Sequence, residues 1–156
     1  MARDARGGQH VSAIVIVSSA LRCALLALTL LCWAATAAAQ DPASTTVQST
    51  ARDWLALTDA GNAAGSWDAA ARQFKSAMTR EGWVESLKKA RDPLGKLEQR
   101  TVLSTTFANS FPGAPDGTYA IVLFRTSFAK KADAAESVTL ERESDGAWRV
   151  VGYFIR

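Results

Sequence analysis

Tyr119-Ala-Ile-Val-Leu-Phe-Arg-Thr-Ser-Phe128 (YAIVLFRTSF) sets the architecture. Tyr119 to Phe124 is apolar at every position, which is the pattern of a strand with neighbours on both sides in a sheet. Upstream, Lys96 to Phe107 is rich in Thr, Val and Leu and alternates through Leu97, Thr101, Leu103, Thr105 and Phe107. Asn109 to Gly117 (NSFPGAPDG) joins the two as a loop. Downstream, Glu136 to Glu143 alternates with Val138 and Leu140 facing in, and Ser144-Asp145-Gly146 is a hairpin signal. Trp148 to Ile155 is the last strand. Four strands in succession with short connections predict an antiparallel meander.

The chain before Lys96 has helical periodicity. Thr50 to Asn62 places Ala51, Trp54, Leu55 and Thr58 on one stripe, closed by Gly61 and Gly65. Ser66 is read as the N-cap of a second helix, Trp67 to Met78, with Trp67, Ala70, Ala71, Phe74, Ala77 and Met78 as its apolar face. Thr79 caps a third, Arg80 to Ala90, with Trp83, Val84 and Leu87 inward; Pro93 stops it and Gly95 turns the chain. Helices that precede a meander cannot build a parallel βαβ sheet. The expected fold is therefore α+β, with three N-terminal helices packed on one face of a four-stranded antiparallel meander. Cystatin-like and nuclear-transport-factor-like cones both have this composition of elements.

Met1 to Ala39 reads as a secretory signal peptide: Arg3, Arg6 and Arg22 are basic, Cys23 to Ala35 is apolar or small, and Ala37-Ala38-Ala39 fits peptidase cleavage before Gln40. The clean apolar run is shorter than the ~20 residues of a spanning helix, so no transmembrane span is expected in the mature chain. Residues 40–49 are read as a flexible tether and 50–156 as a single domain. The expected location is periplasmic or secreted. Cleavage would remove the one histidine, His10, and both cysteines, Cys23 and Cys32. Ser-His-Asp triads, cysteine nucleophiles, disulfides and His- or Cys-ligated metals would then all be excluded. Without Arg3, Arg6, Arg22 and Asp4 the net charge of +3 falls to +1. No Lys/Arg block exceeds a pair, so nucleic acid is not an expected partner. Clustered Asp/Asn with Gly at calcium-loop spacing is also missing, and no cofactor is called for.

Several segments, taken in order, resemble a bacterial family, domain of unknown function 4019. They are Trp54 with Asp59-x-Gly61, Ser66-Trp67, Trp83, Arg91-Asp92-Pro93-Leu94-Gly95 and Arg100. Pro115-Asp116-Gly117-x-Tyr119, Thr126-Ser127-Phe128, Glu136 and Gly146-Ala147-Trp148-Arg149-Val150-x-Gly152-Tyr153 complete the series. Ala63 departs from the pattern, where an aromatic residue is expected. The resemblance implies a secreted or membrane-tethered domain and assigns no catalytic residue.

Candidate binding residues are Arg91, Arg100, Arg125, Glu136, Trp148 and Tyr153; no catalytic residue is proposed. Trp54, Trp67 and Trp83 belong to helical stripes and are read as core. Trp148 opens a strand that could line the mouth of a cone. Among the carboxylates, Asp59 and Glu136 are the two without an immediate local explanation. Arg125 interrupts an apolar strand, so its stem is expected to be buried and its head paired, for example with Glu136 or Glu98. The alternative for the arginines is a small anionic ligand. The expected function is a non-catalytic binding domain for an unknown envelope protein. The alternative is a small-ligand-binding cone, or an enzyme using a carboxylate in an apolar pocket.

Overall fold

The computed structural model describes residues 41–110 and 113–156. The signal-peptide reading of residues 1–39 lies outside them. Four α-helices, α1 (Pro42–Asp59), α2 (Ala63–Asp68), α3 (Arg72–Ala77) and α4 (Arg80–Arg91), lead through a 3₁₀ turn (Asp92–Leu94) into the sheet. Its strands are β1 (Leu97–Ala108), β2 (Tyr119–Phe128), β3 (Lys131–Arg142) and β4 (Trp148–Ile155). They lie in the order β1-β2-β3-β4, each pair antiparallel. The fold is the expected α+β meander, and β2 is internal as its apolar run requires.

The helices differ from expectation at two places. Most of the stretch expected to be a tether, 40–49, is helical: α1 starts at Pro42, two turns earlier than Thr50. The Asp41 carboxylate accepts from the Ala43 amide, and proline at the first helical position needs no amide partner. Val47 is fully buried, which anchors this extension. The second predicted helix is two short ones. Ser66 lies inside α2, whose cap is Asn62, accepting from the Gly65 amide at 2.9 Å. The break at Ala69 to Ala71 has a tertiary cause. The Ala71 amide donates to the Val150 carbonyl of β4 at 2.8 Å, and the Arg72 amide donates to Glu143 at 2.9 Å. Both amides would otherwise have bonded within a continuous helix. Thr79 caps α4 as predicted, accepting from the Gly82 amide at 3.1 Å.

The core lies between the helices and one face of the sheet. Val47, Ala51, Trp54, Leu55, Phe74, Trp83 and Leu87 meet Ala120, Val122, Phe124, Val138, Leu140 and Val150. Two indoles converge on one serine: Trp54 Nε1 donates to the Ser66 carbonyl at 2.7 Å, and Trp83 Nε1 donates to Ser66 Oγ at 2.9 Å. Ser66 Oγ in turn donates to the Ala63 carbonyl at 2.7 Å. Aromatic burial therefore comes without an orphaned N–H. No described helix covers the opposite face of the sheet, where Leu103 and Phe154 stand exposed.

Register irregularities in β1 decide what each residue faces. Leu97 pairs with Phe128, but after an irregularity at residue 98 it is Arg100 and Val102 that pair with the inward Thr126 and Phe124. A second, at Leu103, restores the earlier parity, so Thr105 and Phe107 pair with Val122 and Ala120. Each extra residue switches the face of everything beyond it. The simple alternation through Thr101 and Leu103 is thus corrected: both point away from the helices and are exposed.

Candidate functional site: a buried ion network beside a groove

One inward residue from each strand joins the ends of two helices in a single polar cluster. Arg100 comes from β1, Thr126 from β2, Glu136 from β3 and Tyr153 from β4. Asp59 is the last residue of α1 and Arg91 the last of α4. Arg100 and Thr126 are directly paired, whereas Glu136 and Tyr153 are displaced along their strands, so the row runs diagonally.

Glu136 is fully buried, and four donors hold its two oxygens. Oε1 accepts from Tyr153 Oη at 2.6 Å and from Arg91 Nη1 at 3.0 Å. Oε2 accepts from Arg100 Nε and from Thr126 Oγ1, both at 2.6 Å. Asp59 accepts from Arg100 Nη1 at 2.6 Å and Nη2 at 3.0 Å, and also from Arg91 Nη2. Arg91 completes its contacts with Tyr153 Oη at 3.1 Å and stacks 4.8 Å over the Phe128 ring. Two guanidinium groups and two carboxylates balance in charge. A buried ion set is tolerable when its members are paired and hydrogen-bonded in this way.

The same contacts govern protonation. Burial opposes ionisation of Asp59, but the hydrogen bonds and charges of Arg100 and then Arg91 outweigh it, leaving its pKa below the ordinary carboxylate value. For Arg100, burial is outweighed by Asp59 and Glu136, so its pKa is raised. Arg91 is raised too, with Tyr153 and Asp59 overcoming burial. Burial, followed by the Glu136 charge, pushes the Tyr153 phenol up. These shifts hold Asp59, Arg91 and Arg100 in their charged forms and keep the Tyr153 phenol protonated.

Arg91, Arg100, Glu136 and Tyr153 are thus brought together; Arg125 and Trp148 are not among them. The Arg125 stem was expected to be buried, but the side chain is 68% exposed and its partner is the still more exposed Asp133, at 3.2 Å. Thr126, the next residue, takes the inward position, so Arg125 must face out. Trp148 packs on the core and meets the Phe107 ring at 6.1 Å. Asp59 and Thr126 were missing from the candidates. Asp59 carried a signal, since an acid at a helix C-terminus opposes the helix dipole and needs a cation. Thr126 carried none.

Beside the cluster lies a groove of about 470 Å³. Thr58, Asp59 and Ala63 form one wall, Val84, Leu87, Lys88 and Arg91 the other, and Gly95 to Leu97 the end. Asp59 and Arg91 are common to groove and cluster. A described family matches residues 50–153, which include all six members of the cluster. The chain belongs to the family described as Protein of unknown function (DUF4019). No curated protein and no solved structure matches the chain.

Proposed function

We propose that this member of the family is a non-catalytic binding domain that works outside the cytoplasm, periplasmic or secreted after cleavage near Ala39-Gln40. The observation that carries the reading is the saturation of Glu136 and Asp59. Acid–base catalysis by a carboxylate in an apolar pocket would need that carboxylate free to exchange a proton near neutrality. Both inward carboxylates that could serve are instead clamped by Arg91 and Arg100. The cluster ties helix ends to all four strands and so makes a rigid wall for the groove. The extracytoplasmic location is supported by the basic, then apolar, then Ala-rich order of residues 1–39.

Carbon-detected NMR titration of the Asp59 carboxyl tests the non-catalytic reading. Ionisation retained from pH 5 to 9 is expected. A carboxyl that titrates between about pH 6 and 8 would replace it with the enzyme reading. Intact-mass measurement on envelope fractions tests the location.

A further inference from the structure

The geometry points to the groove between α1 and α4 as a site for a single-chain amphiphile with a carboxylate head, a fatty-acid-like ligand. This deepens the binding-domain reading and rests on it. The volume, about 470 Å³, is in the range of small-molecule sites. Three features of the lining select the ligand class.

The first is the apolar share of the lining. Leu87 and Leu97 line the groove, and Val84 on its rim is 37% exposed, a large apolar side chain presented by an otherwise amphipathic helix. The second is that, Lys88 apart, the polar side chains of the walls are consumed. Thr58 Oγ1 donates to the Leu55 carbonyl at 2.7 Å, and Asp59 and Arg91 are spent within the cluster. Among the described residues, the one buried side-chain atom without a hydrogen-bond partner is Gln73 Oε1, which is not part of the lining. A sugar, nucleotide or peptide backbone would meet few free partners there and would lose its own hydration. A hydrocarbon chain loses nothing.

The third feature is charge. Lys88 and Lys96 line the groove and form none of the salt bridges found among the described residues. Asp92 lies on the same rim. Two cations against one anion leave a single positive charge, which matches one carboxylate and disfavours a cationic amphiphile. Long lysine stems can lie along a chain while the ammonium groups reach its head.

Isothermal titration of the protein isolated from cells with dodecanoate, below its micellar concentration, tests the site. Saturable one-to-one binding is expected, with none for acetate or dodecyltrimethylammonium. Lys88→Gln with Lys96→Gln should weaken binding roughly fivefold, the effect of two exposed ion pairs. Val84→Asp should weaken it by tenfold or more while the thermal melt is kept, because Val84 is partly exposed already. Phe154→Ser, on the uncovered sheet face, should change nothing. Equal binding by all variants, or loss through Phe154→Ser alone, would overturn the site. Absence of saturable dodecanoate binding would overturn the ligand class. The binding-domain reading would then still be judged separately, by whether Asp59 stays ionised.

Discussion

Arg100 grips Asp59 with both terminal nitrogens, Nη1 at 2.6 Å and Nη2 at 3.0 Å. This bidentate fork joins an edge strand to the last turn of α1, across 41 positions of sequence. The remaining nitrogen, Nε, reaches Glu136 on β3. One side chain thereby locks helix, edge strand and central strand together, and its planar donor array is what lysine lacks.

Removing that fork leaves the buried Glu136 and the partly buried Asp59 with Arg91 as their one remaining cation in the cluster. Arg100→Met is expected to destabilise the domain by about 3–5 kcal/mol. Arg100→Lys should recover only part of the loss. Urea melts of the purified variants check this, and a loss below about 1 kcal/mol would mean that the cluster contributes little net stability.

Arg125→Met should behave differently. Its ion pair with Asp133 is exposed on both sides, and such pairs contribute little. The expected change is within about 0.5 kcal/mol. The same melts measure it, and a loss of several kcal/mol would contradict the outward placement of Arg125.

The acid limb of stability should carry the signature of Asp59. Its folded pKa lies below the unfolded value, because Arg100 and Arg91 outweigh the burial that opposes its charge. As pH falls, the unfolded chain binds this proton first. The contribution is therefore complete above about pH 4, and is lost as pH falls through the folded pKa. Denaturant melts of wild type and Asp59→Asn at pH 7, 4 and 3 should show the gap between them narrowing toward acid. A gap independent of pH would remove Asp59 from the acid dependence.

Ser66→Ala tests the paired tryptophans. It deletes the acceptor of Trp83 Nε1 inside the core, while the Ser66 carbonyl that serves Trp54 remains. A buried N–H left without a partner costs about 1–3 kcal/mol. Thermal and urea denaturation should register that loss, with a red-shifted or broadened indole emission. A neutral outcome would indicate that water reaches Trp83.

Gly95→Ala probes the turn between α4 and β1. Gly95 sits at φ 76° and ψ −161°, a region nearly closed to other residues. An added Cβ would also approach the Ala129 Cβ at 3.3 Å. A loss of about 1–3 kcal/mol is expected. Because Gly95 ends the groove, dodecanoate titration of the same variant reports whether the turn shapes that site.

Elements whose cause is local were legible from residue patterns. The apolar run of Tyr119 to Phe124 placed β2 inside the sheet, Ser144-Asp145-Gly146 marked the last hairpin, and Thr79 marked the start of α4. Each depends on neighbours within a few positions, so periodicity and turn chemistry suffice to reveal it. The Asp41-Pro42 cap was equally local but lay in a Thr/Ser-rich stretch whose only large buried anchor is Val47. The break between α2 and α3 was hidden, because the amides of Ala71 and Arg72 bond to residues more than seventy positions away. The identity of the buried arginine was hidden for a related reason. Arg125 occupies a more apolar strand than Arg100, yet register turns Arg125 outward and Arg100 inward. Strand side chains alternate, so an extra residue at position 98 outweighs the composition around either arginine. Such irregularities leave no mark in the pattern of β1 alone; the pairing with β2 creates them. Glu136 and Asp59 were visible as acids without a local partner, but their shared arginines meet only once helix ends and strands have docked.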